Sequence, residues 1–105
     1  MRDALIVSTA RSPLTKSYRG TFNNTTAPTM AGWAIREAVK RSGVDLHKVD
    51  DVIMGAALQQ GTTHANVARN AALAAGLPVT VSGMSLDRQC SSGMMAISTA
   101  AKQII

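Results

Sequence analysis

The sequence predicts an α/β fold, with elements in the order β-α-β-α-β-α on a mostly parallel sheet. Three observations predict it. Short apolar runs alternate with helix-patterned stretches, glycines close the first two of those stretches, and the connections after them are brief. The chain of 105 residues suits one small domain.

The first run, "ALIVST" (residues 4–9), is apolar and rich in β-branched residues, which predicts a buried strand. Residues 10–29, "ARSPLTKSYRGTFNNTTAPT", hold two prolines and many hydroxyl and amide side chains, so they form a long loop. Thr29 can cap the next stretch, "MAGWAIREAVKRSG". There Met30, Trp33, Ala34, Ala38 and Val39 make a helical stripe and Gly43 ends it. "VDDVIMGAALQQG" predicts a second strand centred on residues 52–58. Its small residues Gly55, Ala56 and Ala57 predict close approach by a neighbouring element. Asn66 or Thr63 caps "VARNAALAAG", a helix stopped by Gly76 and Pro78. "TVSGMSL" is a third, weaker strand, residues 87–91 make a turn, and "SGMMAISTAAKQII" is a third helix.

That last helix is apolar nearly all round, with Lys102 its only charge from Gly93 to Ile105. Such a helix is expected to be buried on every side. Three strands and two other helices cannot surround it, so further structure is expected around it. Charged residues make up 16% of the chain, below the usual quarter or so, which also predicts surface destined for burial. The net charge of +5 permits an anionic partner. The basic residues are scattered, however, and Phe22, Trp33 and Tyr18 are the only aromatics, so nucleic acid is not the expected partner.

One cysteine excludes an internal disulfide and a cysteine-based metal site. The N-terminal apolar run is too short for a signal-peptide core, and no stretch approaches the ~20 residues of a membrane span. A soluble, cytoplasmic protein without membrane association is expected.

On the residues alone, Cys90 has two readings. It is either a small hydrophobe packed against an apolar helix, or a nucleophile at a helix start, where unpaired N–H groups and the helix dipole favour a thiolate. Arg88 would add positive potential if it points inward, and Gly93 lets a substrate or facing backbone come close. Ser91 and Ser92 are expected to cap the helix rather than touch substrate. Met94 and Met95 read as core, His47 as surface, and His64 as a loop histidine. No phosphate-binding glycine loop and no carboxylate pair for acid–base work is present.

"DRQCSSGMMAI" closely resembles the active-site segment of the thiolases, the family of acetyl-CoA acetyltransferases and 3-ketoacyl-CoA thiolases. "ALIVSTARSPLTKSYRGTF", "VDDVIMGAALQQG" and "ARNAALAAGLPVTVSGMSLDRQCSSG" resemble further stretches of the family in register, so the resemblance covers essentially the whole chain. It implies that residues 1–105 are the N-terminal part of the first thiolase half-domain, an incomplete unit. It also implies an acyltransferase in which Cys90 forms an acyl-enzyme with acyl-CoA, for Claisen condensation or for thiolysis of 3-ketoacyl-CoA. The backbone N–H of Cys90 would donate to the oxyanion. Coenzyme A thioesters would be substrates, with no permanently bound cofactor and no metal. A homo-oligomer, dimer or tetramer, is the implied assembly.

The family's Asn-Glu-Ala-Phe, Gly-His-Pro and Cys-x-Gly motifs have no counterpart in this sequence. The resemblance therefore assigns neither the activating histidine nor the second cysteine to any residue, and His64 does not match that histidine. The family's half-domain sheet order, 3-2-1-4-5, would leave the first strand short of a neighbour. It would also leave the third strand, which pairs across the family's dimer axis, with an open edge. The chain on its own is thus expected to be unstable or self-associating, and to be inactive. The alternative is a non-catalytic assembly or binding module of thiolase type, or, with no resolving cysteine to support it, a redox-sensing thiol.

Overall fold

A computed structural model describes residues 1–105. Three helices, α1 (Ala27–Ser42), α2 (Val67–Ala74) and α3 (Ser92–Ile104), surround two strands, β1 (Asp51–Gly55) and β2 (Ser82–Leu86). The strands pair in parallel, in register from Asp51 opposite Ser82 to Gly55 opposite Leu86. Parallel neighbours need a crossover, and α2 supplies it. The mixed α/β class and the parallel pairing are as expected.

Helix α1 starts earlier than expected. Thr26, with extended backbone, is the N-cap, and its Oγ1 accepts from the amide of Thr29. Pro28 is tolerated in the first turn because an amide there has no intrahelical acceptor to lose. Gly43 closes the helix with φ of 70°, a left-handed conformation that glycine adopts without steric cost. Asn66 caps α2, its side chain accepting from the amide of Arg69. It also ties the helix entry to β2, donating to the carbonyl of Gly83 and accepting from Ser85.

Alternation along β1 sends successive side chains to opposite faces. Val52 packs against the small core of Ala72, Ala75, Leu77 and Val81, together with Ile35 and Val39 of α1. Ile53 faces the other way, sharing a hollow with Ala96, Ile97 and Ala100 of α3. The helices α1 and α2 come close because Gly32 has no side chain; a Cβ there would sit 3.1 Å from the backbone of Ala74.

Residues 4–9 are not a strand. They make no ladder, and Leu5, Ile6 and Val7 are 70–75% exposed. Ala4, Leu5 and Ile6 instead lie along α3, sharing a hollow with Ile97, Ala100, Ala101 and Ile104. A β-branched run becomes a strand only when a neighbour completes its hydrogen bonds, and here the sheet holds only β1 and β2. The one tether near this run is Arg41, whose Nη1 donates to the carbonyl of Thr9. Helix α3 likewise departs from expectation, with Met94 75% and Ile97 60% exposed, so Met94 is not core. No helix is long and apolar enough to cross a membrane.

Candidate active site

The turn between β2 and α3 is built by local hydrogen bonds. Asp87 Oδ1 accepts from the amide of Gln89, folding the chain back on itself directly after the strand. Gln89 then takes φ of 51°, a left-handed conformation uncommon for a residue with a side chain. The amides of Ser91 and Ser92 donate to the carbonyls of Arg88 and Gln89. At the apex, Cys90 is exposed and free, which removes its reading as a packed core residue.

Ser92 holds this turn in shape. It is buried, and its hydroxyl accepts from the amide of Arg88 at 2.8 Å and donates to the carbonyl of Gln89 at 2.6 Å. The expectation that Ser91 and Ser92 cap the helix is therefore corrected. Ser91 occupies the cap position without a side-chain bond, and Ser92 clamps the turn behind it. Nothing in the sequence separates a capping serine from a clamping one, because both roles place a hydroxyl beside a helix start.

The seat of Ser92 is set by Gly55. A Cβ at Gly55 would overlap the backbone of Ser92 and Gly93, so the end of β1 presses directly on the first turn of α3. Close approach was legible from the small residues at 55–57, and at Gly55 the neighbour is α3.

Helix α3 begins at Ser92, so Cys90 stands two residues ahead of it rather than within it. The amides of Cys90, Gly93 and Met94 have no acceptor inside the chain. Three N–H donors around the thiol-bearing turn are thus free to bind an anionic oxygen. Gly93 has nothing within 4 Å of where its Cβ would lie, so this side of the turn is open.

A hollow of about 450 Å³ adjoins the turn, lined by Arg88, Ser91, Met94, Met95 and Ser98. Neither histidine lines it. His64 follows the 3₁₀ turn Gly61–Thr63 and His47 lies in another at Leu46–Lys48, both exposed. The chain contains no group of three or more His, Cys, Asp or Glu side chains that could hold a metal ion. The turn therefore offers an accessible thiol, a cluster of donors and one guanidinium, with no imidazole alongside.

Comparison with known proteins agrees with the sequence motifs. The family described as "Thiolase, N-terminal domain" matches residues 4–105. The chain is 42% identical over 103 residues to a 3-ketoacyl-CoA thiolase of Acinetobacter baumannii (strain AYE), covering 98% of this chain and 26% of that protein. A 3-ketoacyl-CoA thiolase of Bacillus subtilis (strain 168) is 36% identical over 105 residues, covering all of this chain and 27% of the relative. The crystal structure of the Bacillus anthracis acetyl-CoA acetyltransferase superposes with a TM-score of 0.91 at 49% identity, covering 99% of this chain and 26% of that one. The chain thus spans about a quarter of the length of the relatives it matches.

Proposed function

The chain belongs to the thiolase family, and from that premise we propose that it carries the nucleophile of a thiolase-type acyltransferase, as the N-terminal part of the first half-domain. In this reading the Cys90 thiolate attacks the carbonyl carbon of an acyl-CoA thioester. Coenzyme A leaves as its thiolate, and the acyl group stays on Cys90 as a new thioester. The α-carbon of a second acetyl-CoA, once deprotonated, then attacks that acyl group and releases the thiolate, giving a 3-ketoacyl-CoA. Thiolysis is the same sequence reversed.

The exposed thiol among free amide donors carries the proposal. The attacked carbonyl becomes an oxyanion, and the amide of Cys90 is available to receive it. A donor fixed by a clamped turn needs no reorganisation when that charge develops, and Ser92 supplies the clamp. Coenzyme A thioesters are substrates here, with no resident cofactor. A reactive thiol with no disulfide partner fits cytoplasmic acyl-CoA metabolism, including that of fatty acids. No imidazole lines the hollow beside the thiol, so we assign the base for each half-reaction to the greater length seen in relatives. The chain by itself then acylates slowly and does not turn over.

Intact-mass spectrometry after exposure to acetoacetyl-CoA tests the first half-reaction. One added acetyl group, mapped to the peptide containing Cys90 and absent from Cys90→Ser, is the expected result. Labelling of Cys90 by iodoacetamide without any acetylation by the thioester would overturn the reading. The exposed apolar face of α3 favours a second reading, a non-catalytic assembly module of the same family.

A further inference from the structure

Helix α2 opens on backbone strain. Ala65 and Asn66, neither of them glycine, take φ of 54° and 61° in succession. Left-handed residues of this kind persist only where their surroundings over-determine them. Part of the hold is local, since Asn70 Nδ2 donates to the carbonyl of Ala65. The rest comes from β2. Asn66 Nδ2 donates to the carbonyl of Gly83 at 2.8 Å, and Oδ1 accepts from the Ser85 hydroxyl at 3.0 Å. That hydroxyl accepts in turn from the amide of Ala68 at 3.0 Å, so a strand residue helps cap the helix. The two elements also touch closely: a Cβ at Gly83 would sit 2.6 Å from the backbone of Arg69.

These bonds grip β2 on the edge that β1 leaves free. The amide of Ser82 and the carbonyl of Leu86 bond to Asp50 and Ala56 on the β1 side. Neighbouring residues in a strand direct their backbone groups to opposite edges, which turns the carbonyl of Gly83 away from β1. Beyond Leu86 the strand runs straight into Asp87 and the thiol turn. The free donors around Cys90 thus have two supports. The amide of Cys90 follows β2, whereas those of Gly93 and Met94 belong to α3, whose first turn seats on Gly55 of β1. The seat of β2 sets how the three donors meet.

We propose that Asn66 is a positioning residue for the thiol turn: by fixing β2 against α2, it aligns the amide of Cys90 with those of Gly93 and Met94. Its effect on chemistry rests on the acyl-transfer reading, whereas its effect on geometry does not. The side chain has two separable ends. Oδ1 serves the helix cap and Ser85, and Nδ2 alone reaches the strand backbone. Asn66→Asp keeps the acceptor and adds a negative charge that suits a helix start, but it has no donor for the carbonyl of Gly83.

Two reactions of Cys90 in this variant test the proposal. Acyl transfer needs aligned donors where the oxyanion develops. Alkylation by iodoacetamide, a displacement at carbon, needs only an accessible thiolate. In Asn66→Asp, acetylation by acetoacetyl-CoA is expected to slow at least about fivefold, with alkylation within about twofold of the parent and an unchanged circular dichroism spectrum. In amide proton–nitrogen correlation spectra, the resonances of residues 89–93 are expected to shift. Arg36→Ala, which weakens the other end of α2 without touching β2, is expected to leave both rates and those resonances unchanged. Acetylation at the parent rate, an equal fall in both reactions, or the same loss from Arg36→Ala would each overturn the proposal. If the parent itself takes up no acetyl group, the acyl-transfer reading fails on its own. The resonances then decide: shifts at residues 89–93 support the positioning role, and unmoved ones overturn it.

Discussion

Two glycines in and around the nucleophile turn differ in what a methyl group would meet. At Gly55 it would run into the backbone of Ser92, which cannot rotate aside as a side chain could. Gly55→Ala is expected to cost about 1–3 kcal/mol by overpacking and to push the first turn of α3 off the sheet. At Gly93 the same methyl enters open space, in the first turn of a helix where alanine is the better former. Gly93→Ala is expected to be neutral, or to stabilise by about 0.4–1 kcal/mol through the unfolded chain. Urea unfolding of the pair reads both signs; equal destabilisation would contradict the contact assigned to Gly55. Ser92→Ala is a separate case, because it removes the acceptor of the Arg88 amide and one of the two donors to the carbonyl of Gln89. A loss of about 1–3 kcal/mol is expected, about 0.5–1.5 for each of the two hydrogen bonds removed. The rate of Cys90 alkylation should change with it, since the clamp and the thiol share one turn. An unchanged alkylation rate would mean that Ser92 supports the fold and not the geometry of the thiol.

At the scale of elements, α2 shows how little of a short helix's stability is its own. Eight residues are too few to hold a helix in water, so α2 depends on its surroundings. Val67, Ala68, Ala71 and Ala72 bury one face. Its C-terminal carbonyls are capped by another helix: Arg36 of α1 donates from Nη2 to Ala74 and from Nε to Ala75. The guanidinium also meets the negative end of the α2 dipole. Arg36→Ala is expected to destabilise by about 1 kcal/mol. Glu37→Gln, which removes only the exposed ion pair with Arg41, is expected to stay within about 0.5 kcal/mol of the parent. Thermal melts of the two variants decide it, and similar shifts would contradict the capping role of Arg36. This contact joins residues nearly forty positions apart in sequence, so no local pattern announces it. The helices themselves were legible, because Gly43, Asn66 and Gly76 punctuate an apolar period. The start of α1 was misplaced by three residues, since Thr26 and Thr29 are both plausible caps and Pro28 looks like a boundary when it is a first-turn residue.

For the whole molecule, the sequence pattern and the structure part company where an element depends on something outside itself. Residues 4–9 have the composition of a buried strand, and α3 has that of a buried helix, yet both lie largely open. Composition records the environment a segment is suited to, and this chain does not supply that environment. Only ten of the 105 residues are buried, and they cluster around α2 and the strand pair, so protection should be uneven. No amide in residues 1–22 donates a hydrogen bond within the chain, whereas β1 and β2 share a ladder backed by α2. In amide hydrogen exchange, residues 4–22 are expected to exchange close to the rates of an unstructured chain. Residues 51–55, 71–74 and 82–86 should define the slowest class, opening only with the global transition. Protection of residues 4–9 equal to that of β1 would show that the run has found a ladder partner, and that its open placement is not the state in solution. Protection confined to α3 would be the opposite failure, placing the stable centre at that helix and not at the strand pair.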